Sequence, residues 1–199
     1  SNKIPELDNL VKKNGITTHT LFYVGDGKID EDNEDDDSIR QLDAVSEVLS
    51  NNDWKVHKFT YKEDEYDREI ILEDFIKKNI DAVSAIKCLD EGVDIPECHT
   101  AYLLASTKDE RQYIQRTGRI LRPSKNKAHA TVWDFLVLPG TKKDLSKLEK
   151  GIIFSELKRV IHFRDHCLNN QEITKEVNLL LKDYGIDEID NIDFDSLND

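Results

Sequence analysis

Apolar residues recur along the chain in two rhythms. Ile4, Leu7, Leu10 and Val11 fall at helical spacing, and Gly15 follows as a residue suited to ending a helix. TLFYV (20–24) is continuous, apolar and β-prone, and it runs into Gly25-Asp26-Gly27, which is turn chemistry. Ile39, Leu42, Val45, Val48 and Leu49 then mark an amphipathic helix, residues 54–59 a second strand, 67–78 another helix and 81–86 a buried strand. Further strands are expected at 100–105 and 130–135, with a helix over 109–117 between them. Strands that alternate with helices predict an α/β fold with a parallel sheet covered on both faces.

Beyond Pro139-Gly140 the strand rhythm stops, and only helical patterns remain, over 145–168 and 173–184. The apolar positions Leu145, Leu148, Ile152, Ile153, Leu157, Val160 and Ile161 give that region more apolar surface than a free helix keeps, so it is expected to pack on the sheet or on a neighbour. Three segments are therefore expected. Residues 1–19 form a lead-in helix or linker, 20–139 an α/β domain, and 140–199 a helical extension ending in a fraying acidic tail.

Composition narrows the function. The chain has 199 residues, enough for one ordinary domain and an appendage, and no apolar run approaches bilayer-spanning length. With no methionine and a Ser-Asn start, it reads as an excised piece of a longer polypeptide. Cys88, Cys98 and Cys167 are odd in number and scattered, which suits a reducing cytoplasm. The formal net charge is −13, with carboxylates crowded into GKIDEDNEDDD (27–37), so a broad cationic footprint for nucleic acid is excluded and any such contact must be local. Residues 26–37 are expected to be an exposed loop. As a calcium loop they fail, because Asp35 stands where an EF-hand needs glycine and Gln41 where it needs the bidentate Glu.

Two segments carry chemistry. AIKCLDEGVDIP (85–96) leaves the end of a buried strand and turns through Gly92, and ligands of open α/β sheets bind at that edge. Glycine permits close backbone approach there, and Asp94 can accept hydrogen bonds from a sugar hydroxyl. An ordinary strand-to-helix loop would have the same outline. In QYIQRTGRILRP (112–123), Gln115, Gly118, Arg119 and Arg122 fall at i, i+3, i+4 and i+7, which is one face of a helix. Two guanidiniums beside a glycine can clamp polyphosphate oxygens, and the cluster stands out from an acidic chain in a way that a solvated basic face does not.

Together these segments resemble motifs V and VI of superfamily 2 helicases, and LFYVG (21–25) resembles the motif IV strand. The wording LDEGVDIP and QRTGRILRP is similar to the restriction and repair branch. The resemblance covers about 20–139 and implies the C-terminal RecA-like domain of a DEAD/DEAH-type motor, in which ATP and Mg²⁺ lie between two such domains. It further implies that Arg119 and Arg122 reach the γ-phosphate as arginine fingers, that Gln115 orients the nucleotide, and that Gly92, Asp94 and Gly118 shape its pocket. Arg68, in YDREIIL, resembles an arginine that relatives place on the phosphate backbone, although Glu65 stands where they often have Gln. Ile86 replaces a common motif V Thr, leaving Lys87 or backbone amides as candidates for nucleic acid, with DNA the expected one.

No GxxxxGK[ST] loop occurs, and no Asp-Glu pair sits where the Mg²⁺-binding motif II would belong. The chain is thus expected to be inactive alone and to need an N-terminal RecA-like domain of the same polypeptide. The rival class is a non-catalytic regulatory or protein-interaction domain that keeps the fold. His162 and His166 are four apart but lack a third ligand, so no metal site is expected, and Cys88 has no His partner that would make it a nucleophile.

Overall fold

In the computed structural model, residues 3–25, 36–60, 62–86, 98–104, 118, 120, 122, 127–140 and 145–186 are described. They fall into two compact units, Ser1–Phe135 and Leu136–Asp199, so the division comes just ahead of Pro139-Gly140.

The first unit is built on a five-stranded parallel sheet in the order β2-β3-β1-β4-β5. Its strands are β1 (Thr20–Gly25), β2 (Val56–Phe59), β3 (Ala82–Ile86), β4 (Thr100–Leu103) and β5 (Thr131–Asp134). β1 lies at the centre, paired with β3 on one side and β4 on the other, and its residues 20–24 are all buried. That accounts for TLFYV being continuous rather than alternating, since both faces of a covered parallel sheet are apolar. The architecture is the RecA-like α/β fold expected from the sequence.

Side chains of alternate parity share a face. On one face Phe22, Val24, Ala82, Tyr102 and Leu104 pack with helices α1 (Lys3–Asn14) and α2 (Asp36–Asn51) through Leu7, Val11, Leu42, Val45 and Leu49. An aromatic row crosses this face in strand register. Phe22 stacks on Tyr102 with ring centroids 4.6 Å apart, Tyr102 lies 6.3 Å from Trp133, and Trp54 meets Phe22 edge-on. The opposite face, with Leu21, Tyr23, Val83, Ala85, Ala101 and Leu103, is equally buried. Helix α3 (Glu65–Lys77) belongs to that side through Ile71 and Phe75.

Local chemistry sets the ends of these helices. Pro5 fits the first turn of α1, where no N–H is needed, and Gly15 leaves it at φ +73° with its N–H donating to Val11 O. Asp64 caps α3 by accepting from Asp67 N, and Lys78 closes it in the left-handed conformation at φ 63°.

Helix α1 is more than a lead-in. Leu7 and Val11 belong to the main core, Asp8 accepts from Asn52 Nδ2 (2.9 Å), and the buried Lys3 ammonium donates to Leu104 O (2.5 Å) across 101 residues of sequence.

The second unit holds helices α4 (Lys147–Arg164) and α5 (Asn170–Lys182) and has a core of its own. Ile153, Leu157, Val160, Val177 and Leu181 are its buried members, with Leu136, Leu138, Leu145 and Ile186 against them. Much of the apolar surface assigned by sequence to the sheet or a neighbour is therefore covered within the unit. Ser146 and Glu149 form a capping box at the start of α4. Glu156 and Arg159 make a buried ion pair (2.8 Å), and Glu156 also accepts from Val137 N, which satisfies the carboxylate twice.

Cys98, just before β4, is fully buried and donates to Thr100 O (3.3 Å). Burial pushes its thiol up to about 12, with the charge of Lys127 pulling the other way.

Two outcomes follow from this packing. Leu7→Ala should cost about 2–5 kcal/mol in urea unfolding, as for a core leucine, whereas a leucine in a spacer would cost almost nothing. Cys98 gives a pH dependence of fixed sign. Its folded pKa is raised, so stability is fully present below pH 9 and declines as pH rises from 9 towards 12, where the unfolded thiol ionises and the folded one does not. Wild type should lose more stability than Cys98→Ala between pH 8 and pH 10.5, and parallel losses in the two proteins would refute the assignment.

Candidate nucleotide and nucleic-acid site

Because all five strands are parallel, their carboxyl ends gather on one edge of the sheet, at Gly25, Phe59, Ile86, Leu103 and Asp134. The chain moves from β1 out to β2, returns to β3 beside β1, and then crosses to β4 on the other side. Connections that diverge about a central strand leave a crevice at its carboxyl end, the usual ligand position in open α/β sheets. The β3-to-β4 connection is the one that contains Lys87, Gly92 and Asp94, and these three residues lie outside the described ones. Gln115 and Arg119 lie outside them as well.

Three predicted site residues are described. Gly118 and Ile120 have helical backbone. Gly118 is exposed, and a Cβ placed on it meets nothing within 4 Å, so packing among the described residues does not demand glycine there. Ile120 is buried at 1% exposure, whereas Arg122 is exposed. Ile120 is thus anchored in the domain, while Gly118 and Arg122, on the motif face, stand at the surface.

Arg68 occupies the edge beside β2. Its Nη2 donates to Thr60 O (3.1 Å), and the guanidinium carbon sits 5.5 Å from the centroid of the Phe59 ring. The turn between β2 and α3 is tied down around it, since Thr60 donates to Glu63 Oε2 through both its N–H (2.5 Å) and its hydroxyl (2.8 Å). Arg68 is half-buried, so it is a cation fixed in the fold rather than a side chain that swings. Glu65 begins α3 and is exposed.

A buried charge bonded to this stretch was not marked by the sequence. Lys127 is 5% exposed, and its ammonium donates to the carbonyl oxygen of Ile120. In KNKAHA (125–130) nothing marks this lysine as buried, because burial of an ammonium depends on an acceptor brought to it by the fold.

Elsewhere the chemistry is structural. His162 and His166 have ring centroids 5.1 Å apart, and His166 Nδ1 lies 2.8 Å from the carbonyl of His162. Among the described residues no group of three His, Cys, Asp or Glu side chains could hold a metal ion, and no helix is long and apolar enough to cross a membrane. At the opposite edge His19, at φ 59°, places its ring against Phe75 and His99, and its carbonyl accepts from His99 N and Thr100 N.

Comparison with known proteins fits this geometry. Residues 35–124 match the helicase conserved C-terminal domain. The DNA 3'-5' translocase XPB2 of Sulfurisphaera tokodaii is 39% identical over 69 residues, covering 35% of this chain and 16% of the relative. UvrABC system protein B of Ralstonia nicotianae is 27% identical over 159 residues, covering 77% of this chain and 21% of the relative. The chain therefore spans about a fifth of the length of these curated relatives. Among solved structures, the yeast DEAD-box splicing factor Prp28 shares the fold with a TM-score of 0.60 at 17% identity, over 92% of this chain and 35% of that one. The C-terminal domain of the DEAD-box protein Dbp5 does so with a TM-score of 0.54 at 15% identity, over 79% of this chain and 77% of that one. With its parallel sheet and these matches, the chain is similar over residues 35–124 to the helicase conserved C-terminal domain and shares the fold of the solved DEAD-box structures.

Proposed function

We propose that this chain is the C-terminal motor half of an ATP-dependent DNA translocase or helicase, which supplies arginine fingers to ATP held mainly by an N-terminal RecA-like domain of the same polypeptide. The motif VI segment carries this reading. Gln115, Gly118, Arg119 and Arg122 share one helical face by spacing, Ile120 within that stretch is buried, and Arg122 is exposed. A segment anchored by one apolar side chain and bearing two guanidiniums suits charge stabilisation in phosphoryl transfer, where positioned cations do most of the work.

In this reading Arg119 and Arg122 meet the γ-phosphate, Gln115 orients the nucleotide, Asp94 accepts from the ribose, and Gly92 and Gly118 allow close approach. Mg²⁺ is held by the partner domain, since this chain has no motif of its own for it. The reaction is hydrolysis of ATP to ADP and phosphate, and nucleotide binding and release change the gap between the two domains. DNA as the substrate draws support from the relative that is a DNA 3'-5' translocase, whose matched stretch is 39% identical. Arg68 and Lys87 are the proposed phosphate-backbone contacts. Both are point contacts, as a chain of net charge −13 requires.

The test is DNA-stimulated ATP hydrolysis by the full-length protein, comparing wild type with Arg119→Ala and Arg122→Ala at matched folding. Both variants should lose about a thousandfold or more in turnover while still binding nucleotide. Persistent hydrolysis in both, or none in wild type, would replace the motor reading with that of a non-catalytic interaction domain.

A further inference from the structure

Ile120 directly follows Arg119 and precedes Arg122 by two positions, so its backbone sets where the segment carrying both guanidiniums lies. Its side chain is buried at 1% exposure, which fixes one end of the peptide plane. Pro123, three residues on, has no N–H to offer the Ile120 carbonyl.

Lys127 supplies a donor. Its ammonium is hydrogen-bonded to Ile120 O in a location that leaves the side chain only 5% exposed. Burying an ammonium is costly unless strong acceptors meet it, and a charged donor makes a stronger bond to a carbonyl than a neutral one. An alkyl-ammonium could remain in water at no such cost, so its burial here is tied to the acceptors it meets, the Ile120 carbonyl among them.

We propose that Lys127 is a positioning residue for the arginine-finger segment, giving the carbonyl of Ile120 a charged donor and so holding the peptide that follows Arg119 and precedes Arg122. The proposal rests on the arginine-finger reading above. In this role Lys127 needs no contact with nucleotide or nucleic acid and acts through the placement of the two guanidiniums, whose contribution falls steeply with small displacements.

The test uses the full-length protein and two ligands, ADP and ADP with aluminium fluoride, the second mimicking the transferring phosphoryl group. Lys127→Met keeps the apolar stem and removes the donor, while Lys127→Arg keeps a charged donor. Lys127→Met should lower kcat by about tenfold to a hundredfold with KM for ATP little changed. Its affinity for ADP with aluminium fluoride should fall in step while its affinity for ADP holds, and Lys127→Arg should recover most of both. If Lys127→Met does not fold, Lys127→Gln, still an N–H donor but neutral, is put through the same pair of binding measurements and should show a smaller loss of the same kind. Failure of both to fold would make Lys127 a core residue and overturn the proposal. So would an equal loss of both ligands, or wild-type kcat in Lys127→Met when Arg119→Ala has lost turnover. Retained turnover in Arg119→Ala would instead remove the arginine-finger reading on which this one stands.

Discussion

The pairing of β1 on both sides, under helices on both faces, is the constraint from which the rest of the first unit follows. A central strand buried in this way must pass every backbone polar group to a neighbour, and β3 and β4 take them in parallel register. Parallel neighbours need crossover connections, so the sequence between strands has to supply helices long enough to return the chain to the amino edge. Those helices need apolar faces to cover the sheet, and Leu42, Val45 and Leu49 on one side and Ile71 and Phe75 on the other provide them. The same arrangement delivers every strand's carboxyl end to a single edge, and both chemistry-bearing motifs lie in segments that leave strands at that edge.

Much of this was legible in the chain because periodicity reports burial. TLFYV can be continuous only where both faces are covered, and the i, i+3, i+7 spacing of Leu42, Val45 and Leu49 fits one wet face. Element ends were less legible. The strand expected over 54–59 begins at Val56, because Trp54 turns into the core edge-on to Phe22 rather than joining the ladder. The expected loop over 26–37 gives way to α2 at Asp36. A carboxylate in the first turn of a helix interacts favourably with the helix dipole, so an acidic run can serve both as loop and as helix start. The depth of α1 in the core was not legible at all. Four apolar residues at helical spacing look the same whether they cover a sheet or a passing partner, and only contacts 101 residues away, such as Lys3 to Leu104, decide it.

The candidate site divides along the same line. Residue type and spacing exposed the motif face of Gln115, Gly118, Arg119 and Arg122, since an arginine pair is conspicuous against so many carboxylates. What lies behind that face was invisible, because Lys127 in KNKAHA has the composition of a solvated loop and becomes a buried donor only once Ile120 is packed. Arg68 shows the reverse case. Its sequence context suggested an outward phosphate contact, and in the structure its guanidinium is held by Thr60 and laid over Phe59. A fixed cation has lost less freedom to give when it meets a phosphate, but it offers fewer N–H groups, so fixation trades reach for geometry.

Charge explains why such fixing matters in this chain. With a net charge of −13, its long-range field opposes the approach of any polyanion, and screening at physiological salt confines each cation's help to about 8 Å. Under those conditions a diffuse lysine surface cannot compensate, and attraction has to come from a few guanidiniums within hydrogen-bonding distance of the phosphate. Short-range contacts are the ones most sensitive to placement. A domain this acidic therefore depends on the backbone that carries its arginines more than a basic one would. A lysine buried against the Ile120 carbonyl, as Lys127 is, bears on that backbone in a way that one further positive charge on a surface dominated by aspartate and glutamate would not.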